Sequence, residues 1–331
     1  MELLQTIKNR IALVFPGQGS QYVGMGRLLY NVSPAARRIF DRADEVLGFS
    51  LTTLCFEGPQ SELDDTMNAQ PAILAVSIAC LDALRERLNP LGLNVLPAMV
   101  AGHSLGEFTA MVAAGVLEFE EALLLVRERG RLMKESSIER PGGMAAVIGL
   151  NEQQLQEVVD ESQSHGIVTM ANSNSPGQTV LSGEVGALLW AMDLAKARGA
   201  KLVQRLAVSI ASHSPLMQQA AMHFSELLSQ VNMRPPIVPL IANISAQMLN
   251  SVEELRHELN GQLTRPVQWT NSVHTMVEHG VETFIELGPK QVLTGLIRRI
   301  NNQVQTLSLS DVEIVKILYP SENDASASLT A

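Results

Sequence analysis

The chain has 331 residues, 46% of them hydrophobic, enough for a substantial core in one large domain or two unequal ones. Its 34 acidic against 24 basic side chains leave a formal net charge of −10, which argues against nucleic acid as a main partner, since that role calls for a basic face. Cys55 and Cys80 lie in different segments without metal-like spacing and read as buried thiols in a reducing cytoplasm, so neither a disulfide nor a metal centre is expected.

Near the start, the apolar run Ile11 to Phe15 stops at Pro16-Gly17 and predicts a buried strand, not a signal peptide. The loop that follows, "PGQGSQYVGMG", lacks the Lys-Ser/Thr pair of a phosphate-binding P-loop. Tyr22 also stands where a dinucleotide loop has its third glycine, so a nucleotide site is rejected. Helix-period segments run to about residue 90. The longest apolar stretch among them, "PAILAVSIACLDAL", is too short to span a bilayer and ends in charges, so no membrane partner is expected. "NVLPAMVAG" reads as a second buried strand, and "LGEFTAMVAAGV" and "FEEALLLVRERGRLMKE" as helices parted by Gly115. Strands alternating with helices predict a parallel α/β sheet.

Residues 140 to 207 read differently. "GGMAAVIGL", "IVTMAN", "TVLSG" and "KLVQRLAVS" are strand-like, and "NEQQLQEVVDESQSHG" and "EVGALLWAMDLAKARGA" are helix-like. Their order, β-α-β-β-α-β, is that of a ferredoxin-like unit. The expected organisation is a large α/β domain over residues 1–138 and 208–320, a small ferredoxin-like domain inserted at 139–207, and a disordered polar tail at 321–331.

Gly102-His103-Ser104-Leu105-Gly106 forms G-x-S-x-G between a predicted strand and a predicted helix, the setting in which that pattern exposes a nucleophilic serine. A sharp turn there pushes Oγ out of the sheet, and the new helix offers free N–H groups, such as that of Leu105, to a developing oxyanion. The glycine-rich loop after the first strand can offer a second N–H. A serine needs a base. His165, His257, His274 and His279 lie in polar stretches and His223 in a helical pattern, whereas His213 follows a strand in the loop "IASHSP", where sites form in α/β sheets. No third acid stands out. Two basic clusters, Arg127, Arg129, Arg131 and Lys134, and Lys196, Arg198, Lys201 and Arg205, read either as solvated helix faces or as a surface for an acidic ligand.

Eight blocks, "FPGQGSQYVGMG", "GHSLGEFTAMVAAGV", "VRERGRLM", "MAAVIGL", "ANSNSPGQTVLSG", "SHSPLM", "PVQW" and "ELGPKQVLTGLIRR", stand in the order seen in malonyl-CoA:acyl carrier protein transacylases. The chain resembles this family, and the related acyltransferases of polyketide synthases, from about residue 11 to 300. The resemblance implies an α/β-hydrolase-like large domain with the ferredoxin-like insertion. It also implies an enzyme that moves malonyl from coenzyme A to an acyl carrier protein through a serine ester, as a cytoplasmic monomer with no bound cofactor. It assigns Ser104 as nucleophile, His213 as base, the backbone N–H groups of Gln18 and Leu105 as oxyanion hole, and Arg129 as partner of the substrate carboxylate. His213 would be oriented by the backbone carbonyl of Gln262, which accounts for the missing acid. Rival readings are an acyl-thioester hydrolase, a transferase of substituted malonyl groups, and a non-catalytic module that docks a carrier protein.

Overall fold

A computed structural model describes residues 10–91 and 96–318; the tail expected at 321–331 lies outside the described residues. Six strands form the larger sheet: β1 (Ile11–Phe15), β2 (Met99–Gly102), β7 (Leu240–Ile241), β8 (Met248–Leu249), β9 (Thr283–Leu287) and β10 (Gln305–Leu309). Their order is β10-β9-β1-β2-β7-β8, parallel throughout except for the edge pair β7–β8. Every residue of β1 and β2 is buried, as expected of a parallel sheet covered on both faces. Their side chains alternate between two cores. Leu13 and Phe15 join the core built around the helix Thr66–Leu88, while Ala12, Val14 and Ala101 pack on the opposite side with Trp269 and Phe284.

The helix Thr66–Leu88 is longer than its apolar run suggested. Its 23 residues are long and apolar enough to cross a membrane by length and composition, but most of the helix is enclosed by this fold. It starts at Asp65, whose side chain accepts a hydrogen bond from the Met67 N–H, an N-cap that lies outside the apolar run.

The second sheet is wholly antiparallel. It comprises β3 (Gly142–Ile148), β4 (Val168–Ser175), β5 (Gln178–Glu184) and β6 (Leu202–Arg205) in the order β4-β5-β3-β6. The helices Glu152–Ser162 and Val185–Ala197 cover one face, where Ala145, Val147 and Leu181 point. Met144, Ala171 and Val180 point to the other face, toward the larger sheet. The order of elements and of strands is the expected ferredoxin-like one. β4 is bridged to the segment just before the helix Trp269–Glu278, outside the strands of the larger sheet: the Ser173 N–H donates to the Val267 carbonyl at 2.9 Å, and the Val267 N–H donates to that of Ala171 at 2.8 Å.

Candidate active site

β2 ends at Gly102, and the next helix, Gly106–Ala113, begins four residues later. A turn this tight needs backbone in contact with backbone. A Cβ on Gly102 would sit 1.9 Å from the Gly106 carbonyl, and one on Gly106 would sit 2.1 Å from the Phe15 carbonyl oxygen, so both positions must be glycine. Ser104, between them, is held at φ 51°, a conformation that side-chain-bearing residues rarely adopt outside sites where the surroundings enforce it. Asn243 supplies that enforcement. Its Oδ1 accepts from the Ser104 N–H at 2.7 Å and its Nδ2 donates to the Gly102 carbonyl at 2.7 Å.

The Ser104 hydroxyl lies 2.8 Å from Nε2 of His213. His213 is buried and also left-handed, at φ 57°. Its Nδ1 donates to the backbone carbonyl of Gln262 at 2.8 Å. A carbonyl can only accept, so the proton resides on Nδ1 and the lone pair of Nε2 faces the serine. Burial, reinforced by the charge of Arg129, pulls the His213 pKa down to about 3, which keeps the imidazole neutral and able to accept a proton.

Arg129 reaches the same spot from the helix Phe119–Glu139. It is 1% exposed. Its Nη1 donates to Gln70 Oε1 at 2.8 Å, and its Nη2 to Gln262 Oε1 at 2.9 Å and to Ser104 Oγ at 3.3 Å. Among the described residues no carboxylate lies within ion-pair distance of it, and its Nε has no partner. Burial lowers its pKa to about 10, opposed by the charge of Glu107, so it stays cationic at neutral pH. Its neighbours do not share this position. Arg131 pairs with Glu128 and Glu135, Lys134 pairs with Asp65, and Arg127 lies over the Phe49 ring. In the second basic cluster Lys196 pairs with Asp193, and Arg198 with Glu157 and Glu161. Most of the clustered charge is therefore solvated surface, and Arg129 alone of its run turns inward.

Ser104, His213 and Arg129 open onto a cleft of about 460 Å³ between the two sheets. Gln18 and Leu105 line it, as do Met144, Asn172 and Val208 from the antiparallel sheet side. Among the described residues the backbone N–H groups of Gln18 and Leu105 donate no hydrogen bond, which leaves both free for an oxygen in the cleft. Ser104, His213, Arg129, Gln18, Leu105 and Gln262 are thus at one place, and the other candidate histidines, 165, 223, 257, 274 and 279, are exposed.

Several polar residues of the site were not foreseen. Asn243 braces the turn, Gln70 holds Arg129, and His103 Nε2 lies 2.8 Å from Asn174 Oδ1 on β4. The side chain of Gln262 contributes as well as its carbonyl. Asn243 and Gln70 gave no signal because their partners are 139 and 59 residues away. Glu107 did leave one: it is the only charged residue in the apolar helix "GEFTAMVA".

Residues 12–330 match the model of the acyl transferase domain family. The chain is 42% identical over 320 residues to the malonyl CoA-acyl carrier protein transacylase of Bacillus subtilis strain 168, covering 96% of this chain and 99% of that one. It superimposes with a TM-score of 0.89 and 38% identity on the malonyl CoA-acyl carrier protein transacylase of Coxiella burnetii, over 95% of this chain and 98% of that one. A malonyl-transacylase solved in complex with a type II polyketide synthase acyl-carrier protein also matches with a TM-score of 0.89, at 39% identity over 94% of this chain and 100% of the other. On its sequence, its two sheets and the Ser104 turn between them, the chain belongs to the malonyl-CoA:acyl carrier protein transacylase family of acyltransferases.

Proposed function

We propose that this chain moves a malonyl group from coenzyme A to the phosphopantetheine thiol of an acyl carrier protein, by way of an ester on Ser104. In the first half-reaction the Ser104 hydroxyl gives its proton to Nε2 of His213 as Oγ attacks the thioester carbonyl. The Gln18 and Leu105 N–H groups hold the resulting oxyanion. As the intermediate collapses the C–S bond breaks, and coenzyme A leaves with the proton from Nε2. In the second half the carrier thiol gives its proton to Nε2, its sulfur attacks the ester, and the Ser104 oxygen departs with that proton. Arg129 binds the free malonyl carboxylate throughout, by the paired hydrogen bonds that a guanidinium offers a carboxylate. No metal or redox group enters these steps, since the thioester supplies the driving force.

The observation that carries this reading is the buried Arg129, 3.3 Å from the Ser104 hydroxyl and without a carboxylate partner among the described residues. A neutral acyl chain would leave that charge uncompensated in the cleft, at a cost on the order of 3–5 kcal/mol, which disfavours the hydrolase of neutral acyl groups. The reading extends to a large domain over 1–138 and 208–320 that carries the nucleophile and base, a small domain over 139–207 that closes the cleft, and a cytoplasmic monomer serving fatty-acid or polyketide synthesis.

Intact-protein mass tests it. Mixed with malonyl-CoA, the protein is expected to gain one malonyl group, to lose it on addition of holo acyl carrier protein, and to gain none as Ser104→Ala. Arg129→Ala is expected to slow malonyl loading by about 10²–10³-fold, the equivalent of losing a buried charge pair, and acetyl loading far less. An adduct that decays to free malonate with carrier protein present would instead favour the hydrolase.

A further inference from the structure

Glu107 stands three residues after Ser104, fully buried in the first turn of the helix Gly106–Ala113, and the steps above give it no task. Both of its oxygens accept hydrogen bonds: Oε1 from the Asn243 backbone N–H at 3.0 Å, Oε2 from Nε2 of Gln262. Burial and the neighbouring Glu258 push its carboxyl well above the usual range, and the N–H groups of Gln262 and Asn243 pull it back; with a donor on each of its oxygens, the geometry is that of a carboxylate. Arg129 is the cation that feels its charge.

A side-chain amide has an accepting end and a donating end. Both ends of Gln262 are committed. Its Oε1 accepts from Arg129 Nη2 at 2.9 Å, while its Nε2 donates to the Ser104 carbonyl at 3.0 Å and to Glu107. Turning the amide over would set Nε2 against a guanidinium N–H, and Oε1 against a carbonyl and a carboxylate. All three contacts would become repulsive. The result is a relay of aligned dipoles, guanidinium to amide to carboxylate, among three buried side chains, where the low local dielectric strengthens it. A direct Arg129–Glu107 ion pair would fill the guanidinium with a resident acid. The interposed amide keeps the negative charge out of ion-pair reach and leaves an edge of the guanidinium facing Ser104.

We infer that Glu107 is a positioning residue for acid selection: by fixing the polarity of the Gln262 amide it aims Arg129 at the acyl group carried on Ser104. The inference rests on the reading of Arg129 as partner of the malonyl carboxylate. Glu107 also holds Asn243, which braces the serine turn, so a merely structural role predicts that its loss slows every acyl donor alike. A positioning role predicts a loss weighted toward acids.

The test is the rate of Ser104 loading, followed by intact mass, with malonyl-CoA and with acetyl-CoA in wild type, Glu107→Gln, Glu107→Asp and Arg129→Ala. Glu107→Gln places an NH₂ where an acceptor stood. Its malonyl-to-acetyl preference is expected to fall tenfold or more, with the malonyl KM raised. Glu107→Asp keeps two accepting oxygens, drawn back by one methylene. It is expected to lower the preference by a smaller factor, and it carries the test alone if Glu107→Gln does not fold. An unchanged preference, whether loading stays intact or falls equally for both donors, overturns the inference. If Arg129→Ala leaves the preference intact, the carboxylate reading itself fails. If Arg129→Ala abolishes it and the Glu107 variants do not, only the role of Glu107 falls.

Discussion

A histidine kept neutral by burial and by a nearby arginine has a thermodynamic signature. The His213 pKa is brought down to about 3 in the folded chain, against about 6.5 when the chain is unfolded. Below pH 6.5 the unfolded state therefore takes up a proton at this site and the folded state does not, until about pH 3. Its contribution to stability is full above pH 6.5 and shrinks as pH falls, by up to about 1.4 kcal/mol per pH unit. The stability of wild type relative to His213→Ala, from urea unfolding, is expected to decrease by about 2 kcal/mol between pH 7 and pH 5. An equal difference at both values would mean that the imidazole is not held neutral. At this scale the serine and its base were legible, because glycine spacing and a strand end mark them. Arg129 was not separable from Arg127 and Arg131 by clustering and came from the resemblance. Its depth was nonetheless written in the helix, where Val126, Arg129 and Met133 fall on one buried stripe. The polar residues that hold it in place come from distant segments, and nothing local announces them.

At the scale of elements, the serine turn is a contact between three backbone segments, and its glycines are spaces more than hinges. Alanine at 106 would drive a methyl to 2.1 Å from the carbonyl oxygen of Phe15, in the central strand, which cannot swing aside. Gly106→Ala is expected to destabilise the protein by about 3 kcal/mol or more, the upper end of overpacking costs, and to block Ser104 loading. Gly295 provides the contrast. It lies inside the helix Val292–Ile300 with nothing within 4 Å of a new Cβ, so Gly295→Ala is expected to stabilise by about 0.5–1 kcal/mol. Thermal melting of the two variants checks both signs. Strand, turn and following helix were readable because a buried parallel strand is a continuous apolar run. β7 and β8 were not, since each is two residues long and no period can be read from two residues. Their antiparallel pairing at the sheet edge departs from the expected parallel pattern for the same reason.

For the whole molecule, the order β-α-β-β-α-β announced the second sheet, but which of its strands meets the rest of the molecule was not legible, because that junction is made by backbone. It is β4, bridged to Val267 and tied by the hydrogen bond between Asn174 and His103, the residue that follows β2. This joint bears on the chemistry. Between the two half-reactions an ester on Ser104 waits for a thiol in the presence of a large excess of water, so a transferase must keep the cleft closed to water more strictly than a hydrolase. Asn174→Ala removes the side-chain tie, leaves the backbone bridge in place, and touches none of the groups that hold the oxyanion or the carboxylate. Its malonyl-enzyme, freed of excess malonyl-CoA and followed by intact mass without carrier protein, is expected to lose malonate several-fold faster than wild type, while the rate of loading changes less. A lifetime equal to that of wild type would mean that closure between the two sheets is not what protects the ester, and would shift that task to the walls of the cleft itself, Met133 and Met144 beside Arg129 and Ser104.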